Sequence, residues 1–262
     1  MSFRVRAAGL SDVGRTRAHN EDSFAFDLER GFFLVADGMG GHGNGEVASS
    51  LTIEAASDYL RQGEENLSGE ASESNEVSSV SRTLCSAIEA GHERVVRAVS
   101  EDEALTGMGT TVVGLMTGSH FVSVAHVGDS RAYLLRNSDF HLVTEDHTWV
   151  NEQVRAGYLS QDQARSHPLK SVVTRAIGGE HDVDVDVQEI EVESGDCFLL
   201  CSDGLTTMLT DEEIYSHLVE DKSLEERCSA LVQHANARGG VDNITVILLD
   251  FEAEQGVPNT AT

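Results

Sequence analysis

Four apolar runs in this chain meet an aspartate where the run stops or starts, and each aspartate has a glycine or an asparagine close by. FFLVADGMGG places Asp37 where a strand-like run gives way to a glycine turn, and SVAHVGDSRAYLL places Asp129 between two such runs. CFLLCSDG sets Asp203 after a buried run, and GGVDNITVILL sets Asp242 just before one. Taken singly, each is an ordinary turn residue, because an Asp side chain caps local N–H groups and tolerates unusual dihedrals. Turn chemistry does not explain why buried strands repeatedly end this way, since carboxylates gathered at the rim of a core repel one another unless a cation joins them. A shared metal centre resolves the conflict. Hard oxygen ligands without histidine or cysteine at matching places select magnesium or manganese over zinc. A pair of such ions suits phosphoryl transfer, and it reverses the local field so that an acidic protein can accept an anionic substrate.

The bulk chemistry agrees. The chain has 45 acidic against 18 basic residues and a formal charge of −27, which disfavours nucleic-acid and anionic-membrane partners by repulsion. MSFRVRAAGL lacks a long apolar segment and no run approaches a membrane span, so a cytoplasmic location without membrane insertion is expected. Cys85, Cys197, Cys201 and Cys228 form no CxxC pair and lie in apolar runs, which reads as buried reduced thiols.

Strands are expected at 3–8, 24–27, 31–36, 110–116, 121–127, 131–135, 186–192, 197–201 and 244–251. Helical periodicity covers 46–61, 82–100, 148–157, 211–219 and 224–237. Ser160 with Gln163, Thr210 with Glu213 and Ser223 with Glu226 have the spacing of capping boxes. Strands that follow one another directly favour hairpins and an α+β fold. Residues 63–81 hold five glutamates and six serines with few large apolar side chains, and are expected to form a mobile loop. With only Pro168 and Pro258 and no glycine-serine tether, one domain is expected. No heptad pattern demands an oligomer, so a monomer is expected.

Seven blocks in order, RAHNED (17–22), ADGMGGHGNGE (36–46), GMGTTVVG (107–114), VGDSRAYLL (127–135), LTEDH (142–147, read with the intervening Val143), CSDGL (201–205) and VDNITVI (241–247), resemble the protein phosphatase 2C family of metal-dependent serine/threonine phosphatases, in its bacterial form. The resemblance implies an αββα four-layer sandwich: two antiparallel β-sheets flanked by α-helices, with a single domain over 1–254, a flap at about 145–178 and a flexible tail at 255–262. It implies hydrolysis of phosphoserine and phosphothreonine in proteins by a water or hydroxide bridging two Mn2+ or Mg2+ ions, opposing a serine/threonine kinase. Carried over by position, Asp37 bridges both ions, the Gly38 carbonyl binds the first, and Asp203 and Asp242 hold the second. Asp22, or Glu21 beside it, acts through water. Arg17 grips the substrate phosphate, and Asp129 shares a weaker third ion with Asp203. Met39 stands where some members carry a histidine proposed as leaving-group acid; His42 or water is left for that task.

Two patterns point elsewhere and fail on context. Gly38, Gly40 and Gly43 spell GxGxxG with Asp58 twenty residues on, but Asp58 lies within a helical pattern instead of ending a second parallel strand. HDVDVDVQEIEVE mimics a calcium loop that starts at Asp182, yet the sixth position of that loop is Val187 where a sharp turn needs glycine. A catalytically inactive relative that only binds phosphoproteins is disfavoured by retention of every metal-position aspartate.

Overall fold

The computed structural model describes residues 3–41, 44–62, 77–179 and 182–253. Most of 63–81, His42 and the tail from 255 lie outside the described residues.

The most apolar runs form strands buried on both faces, which is why they read as continuous hydrophobic segments instead of alternating ones. One sheet runs in the order β1 (Phe3–Asp12), β11 (Ile244–Ala253), β10 (Cys197–Cys201), β7 (Arg131–Arg136), β8 (Asp139–Leu142). The other runs β2 (Asp22–Asp27), β3 (Phe32–Met39), β5 (Val112–Thr117), β6 (Phe121–Val127), β9 (Asp186–Glu191), with the short β4 (Gly109–Thr110) paired to the end of β3. Every registered pair is antiparallel.

Alternation along each strand sends its side chains into two different cores. Phe33, Val35, Val113, Leu115, Phe198, Leu200, Ile247 and Leu249 meet between the sheets. Leu199, Cys201, Val246 and Leu248 face outward onto Ile214, Leu231 and Val232 of α6 (Asp211–Leu218) and α7 (Leu224–Ala237). Phe32, Leu34, Val112 and Val127 face α1 (Asn44–Gln62) and α2 (Ser79–Glu101). The result is the expected four-layer αββα sandwich. Phe198 is fully buried in the middle layer; truncating it to alanine would cost roughly 3–5 kcal/mol.

Helix α2 presents Leu84, Ala87, Ile88, Gly91, Val95 and Ala98 at a period near 3.6, one apolar face toward the sheet and α1. It starts at Ser79, inside the segment expected to be a loop, because the Ser78 side chain caps the backbone N–H of Ser81. Capping boxes are formed at Ser160, Thr210 and Ser223.

The 145–178 segment carries α3 (Trp149–Arg155) and α4 (Gln161–Arg165). Val150 is the buried residue of α3, while Trp149 and Val154 are only half-buried. The two arms of the segment are tied to each other where Thr148 bridges Val173, and to the sheet where Ile177 bridges Thr110. Cys197, Cys201 and Cys228 are buried free thiols, while Cys85 is only partly covered. Burial pushes Cys85 up to about 11 and Cys201 up to about 12.

Candidate metal centre

Antiparallel pairing brings the distant aspartates to one end of the sandwich. Asp22 begins β2 and Asp37 lies near the end of β3, directly opposite each other in the register. Asp203 follows β10 and opens a one-turn helix, α5 (Asp203–Thr206), while Asp242 precedes β11; β10 and β11 pair with Cys201 opposite Val246, so these two also share an end. The Asp203 carboxyl lies against that of Asp37 and feels the charge of Asp242. Asp129, in the turn between β6 and β7, feels the charge of Asp203.

This is a cluster of like charges, with Asp22 and Asp129 buried and Asp37, Asp203 and Asp242 partly so. Burial, then the charges of Asp22, Asp203, Asp129 and Asp242, holds Asp37 well above the usual carboxylate range. Asp22 is raised to about 6, chiefly by burial, although hydrogen bonds from Thr245 and Ser202 oppose the shift. Asp129 is raised to about 7 by burial and by Asp203 and Asp146, opposed by Arg131. Upward shifts of this kind mark carboxylates that lack a countercharge.

The frame around the cluster is fixed by hydrogen bonds. Oδ2 of Asp22 accepts from Ser202 Oγ and Thr245 Oγ1, both at 2.7 Å. Its Oδ1 is buried with no protein partner. A buried carboxylate oxygen without a donor is costly, and its position beside Asp37 fits an outer contact to a hydrated cation. The Asp37 carbonyl accepts from Thr111 N at 2.9 Å and Thr110 Oγ1 at 2.8 Å, which clamps the end of β3. Gly38 donates its N–H to the Glu21 carbonyl at 3.1 Å. A Cβ on Gly38 would meet the Gly45 carbonyl oxygen at 2.1 Å, so glycine is required for β3 to pass under the first turn of α1.

Arg17 donates from Nη2 to Asp242 Oδ2 at 2.8 Å, and its Nη1 lies 3.8 Å from Glu21 Oε2. The structure thus gathers Arg17, Glu21, Asp22, Asp37, Gly38, Asp203, Asp242 and Asp129 at one end. Sequence reasoning missed Asn243, Ser202 and Thr245. Asn243 accepts from Glu21 N at 2.8 Å and donates to the Val13 and His19 carbonyls, stitching the arginine loop to Asp242. The blocks VDNITVI and CSDGL contained all three residues, but their task depends on partners far away in sequence.

Among the described residues, one set of three histidine or acidic ligand atoms lies within 4.8 Å of one another: His126, His147 and Asp186. The aspartates are spread more widely than that, as ligands shared between two ions about 3.5–4 Å apart would be.

An antiparallel double sheet, helices on both outer faces and a rim of clustered aspartates fit a hydrolase built around divalent cations. The family profile described as Protein phosphatase 2C matches residues 14–244, and the chain belongs to that family. It is a protein-serine/threonine phosphatase, as the sequence resemblance implied. It is 38% identical over 249 residues to the serine/threonine phosphatase Stp of Listeria welshimeri, covering 94% of this chain and 96% of that one. The solved structure of the Mycobacterium tuberculosis serine/threonine phosphatase PstP superposes with a TM-score of 0.84 at 35% identity, covering 95% of this chain and 99% of that one. A PstP catalytic domain in complex with two manganese ions superposes with a TM-score of 0.82 at 32% identity, covering 96% and 100%. No described helix is long and apolar enough to cross a membrane.

Proposed function

We propose that the chain hydrolyses phosphoserine and phosphothreonine in proteins with two Mn2+ or Mg2+ ions, acting as a cytoplasmic monomer that opposes a serine/threonine kinase. Asp37 would serve both ions, the Gly38 carbonyl the first, and Asp203 and Asp242 the second. Asp22, with Glu21 as the alternative, would contact an ion through water, and Asp129 would share a third with Asp203. One observation carries this reading: Asp37 lies among four other aspartates whose charges all raise its affinity for a proton, a charge set that divalent cations satisfy. The manganese-bound relative supports the same reading.

When bound, the ions supply a bridging water or hydroxide as nucleophile and neutralise charge on the phosphoryl oxygens. The chain's own residues do the rest. The Arg17 guanidinium, half exposed beside Asp242, offers a planar fork to the phosphate. Thr110 and Thr111 fix the Asp37 carbonyl, so the bridging carboxylate is oriented before substrate arrives. The 145–178 segment borders the site and shapes substrate choice, and residues 1–254 act as one domain.

Hydrolysis of p-nitrophenyl phosphate and of a phosphothreonine peptide, measured with and without manganese, tests this. The expected result is turnover that a chelator abolishes and manganese restores. A folded protein with no turnover at ample manganese would instead be a phosphoprotein-binding module.

A further inference from the structure

The His126, His147 and Asp186 group has the composition of a second metal site, but its lone pairs are already committed. Gly128 N–H donates to His147 Nδ1 at 3.1 Å. A backbone N–H can only donate, so Nδ1 carries the lone pair and Nε2 carries the proton. Nε2 then donates to Asp186 Oδ2 at 3.2 Å, while Arg175 Nη1 holds Asp186 Oδ1 at 2.9 Å. A cation at Nε2 would need the lone pair on the wrong nitrogen. The His126 ring stacks on His147 at 4.6 Å and bonds the Glu145 carbonyl through Nε2 at 2.8 Å, which keeps the pair in place.

The same bonds give His147 another task. Its backbone N–H donates to the Gly128 carbonyl at 3.0 Å, so one residue satisfies both the N–H and the C=O of Gly128. Gly128 has φ +106°, and a Cβ there would lie 2.6 Å from the Thr111 side chain, so this turn is specially shaped and closely packed. The next residue is Asp129. On its other side, the His147 carbonyl accepts from Thr174 N at 2.8 Å, joining the two arms of the 145–178 segment.

We infer that His147, held as the Nε2–H tautomer by Asp186, is a positioning residue that sets the Gly128–Asp129 turn and locks it to the base of the flap. This rests on the reading of Asp129 as a ligand of the weakest of the bound ions. His147 touches neither substrate nor ion; it acts through the turn.

The test is manganese titration by calorimetry together with steady-state kinetics on a phosphothreonine peptide, for His147→Leu, His147→Asn, Asp129→Asn and the His147→Leu/Asp129→Asn double variant. His147→Leu should weaken the lowest-affinity manganese class about 10-fold and lower kcat with KM unchanged within about twofold. In His147→Asn the Oδ1 atom stands near the place of Nδ1 and still accepts from Gly128, so affinity should return to within about threefold of wild type. The double variant should be no worse than Asp129→Asn alone, because both act on one ligand. Additive losses, or an Asn variant as poor as the Leu variant, overturn the positioning role. If Asp129→Asn itself leaves manganese binding unchanged, the metal role of Asp129 fails and takes this inference with it. Should His147→Leu not fold, Asp186→Ala replaces it, with a loss of about threefold expected and no change overturning the inference.

Discussion

The guanidinium of Arg17 rests 2.8 Å from Oδ2 of Asp242, a carboxylate contributed 225 positions later in the chain. One residue is the proposed grip for phosphate and the other a proposed ligand for an ion, so substrate and metal subsites share an edge. The arginine is held there by Glu21 as well, at 3.8 Å, which limits the entropy it loses on meeting substrate. Arg17→Ala is expected to raise KM for a phosphopeptide about 10-fold with kcat lowered less than threefold, because the phosphate is gripped in ground state and transition state alike. Steady-state kinetics decides this; a loss confined to kcat would contradict it.

Asp203 lies against Asp37 and feels the charges of Asp242 and Asp129, so its carboxylate is placed to serve the second and third of the proposed ions. Asp203→Asn keeps the shape and removes the charge. Turnover should fall by more than a hundredfold, on the order of 3 kcal/mol of transition-state stabilisation, with circular dichroism unchanged. Retention of more than about a tenth of wild-type activity, under ~1.4 kcal/mol, would remove Asp203 from the metal centre.

Two glycines of the ADGMGG block separate steric need from simple turn preference. A Cβ on Gly38 meets the Gly45 carbonyl at 2.1 Å and the Glu21 carbonyl at 2.5 Å, all backbone, whereas one on Gly41 meets nothing within 4 Å. Gly38→Ala should therefore cost about 1–3 kcal/mol and lower manganese affinity, since β3 must shift beneath α1. Gly41→Ala should change stability by less than about 0.5 kcal/mol. Denaturant melts of the two variants give the comparison, and equal effects would mean the contact at Gly38 relaxes freely.

Much of this arrangement was legible because local chemistry and final position agree. The runs CFLLC and FVSVAHV are strands over the expected residues, since they are apolar on both sides and end at turns. Asp139–Leu142 was not anticipated: it is an edge strand of four residues, mostly exposed, in which Phe140 and Leu142 alternate with polar residues over a run too short to stand out. The single turn after Asp203 was missed because DGLT begins with a turn dipeptide and is too short for periodicity. Within the site, Asp37, Asp203 and Asp242 announced themselves by context. Ser202 and Thr245 did not, because their grip on Asp22 comes from the packing of one sheet against the other, which joins residues 180 and 223 positions apart.

Metal binding and protons should compete, and the sign follows from the direction of the shifts. An aspartate in the unfolded chain titrates near 3.9. In the native protein burial and the neighbouring carboxylates push Asp22 up to about 6 and Asp129 up to about 7, with Asp37 also raised. Between about pH 4 and 7 the native state therefore holds more protons than the unfolded state, and stability falls as pH rises through that window. Chelator-treated protein should melt at a higher temperature at pH 5 than at pH 8. Manganese binds the ionised carboxylates, so its stabilising shift in Tm should be small at pH 5 and grow toward pH 8. General repulsion within a chain of charge −27 acts in the same direction, but it is screened by salt, whereas the buried aspartates are not. At high salt the metal-free slope should persist, and Asp22→Asn should flatten it; a manganese shift that ignores pH would separate these carboxylates from the metal.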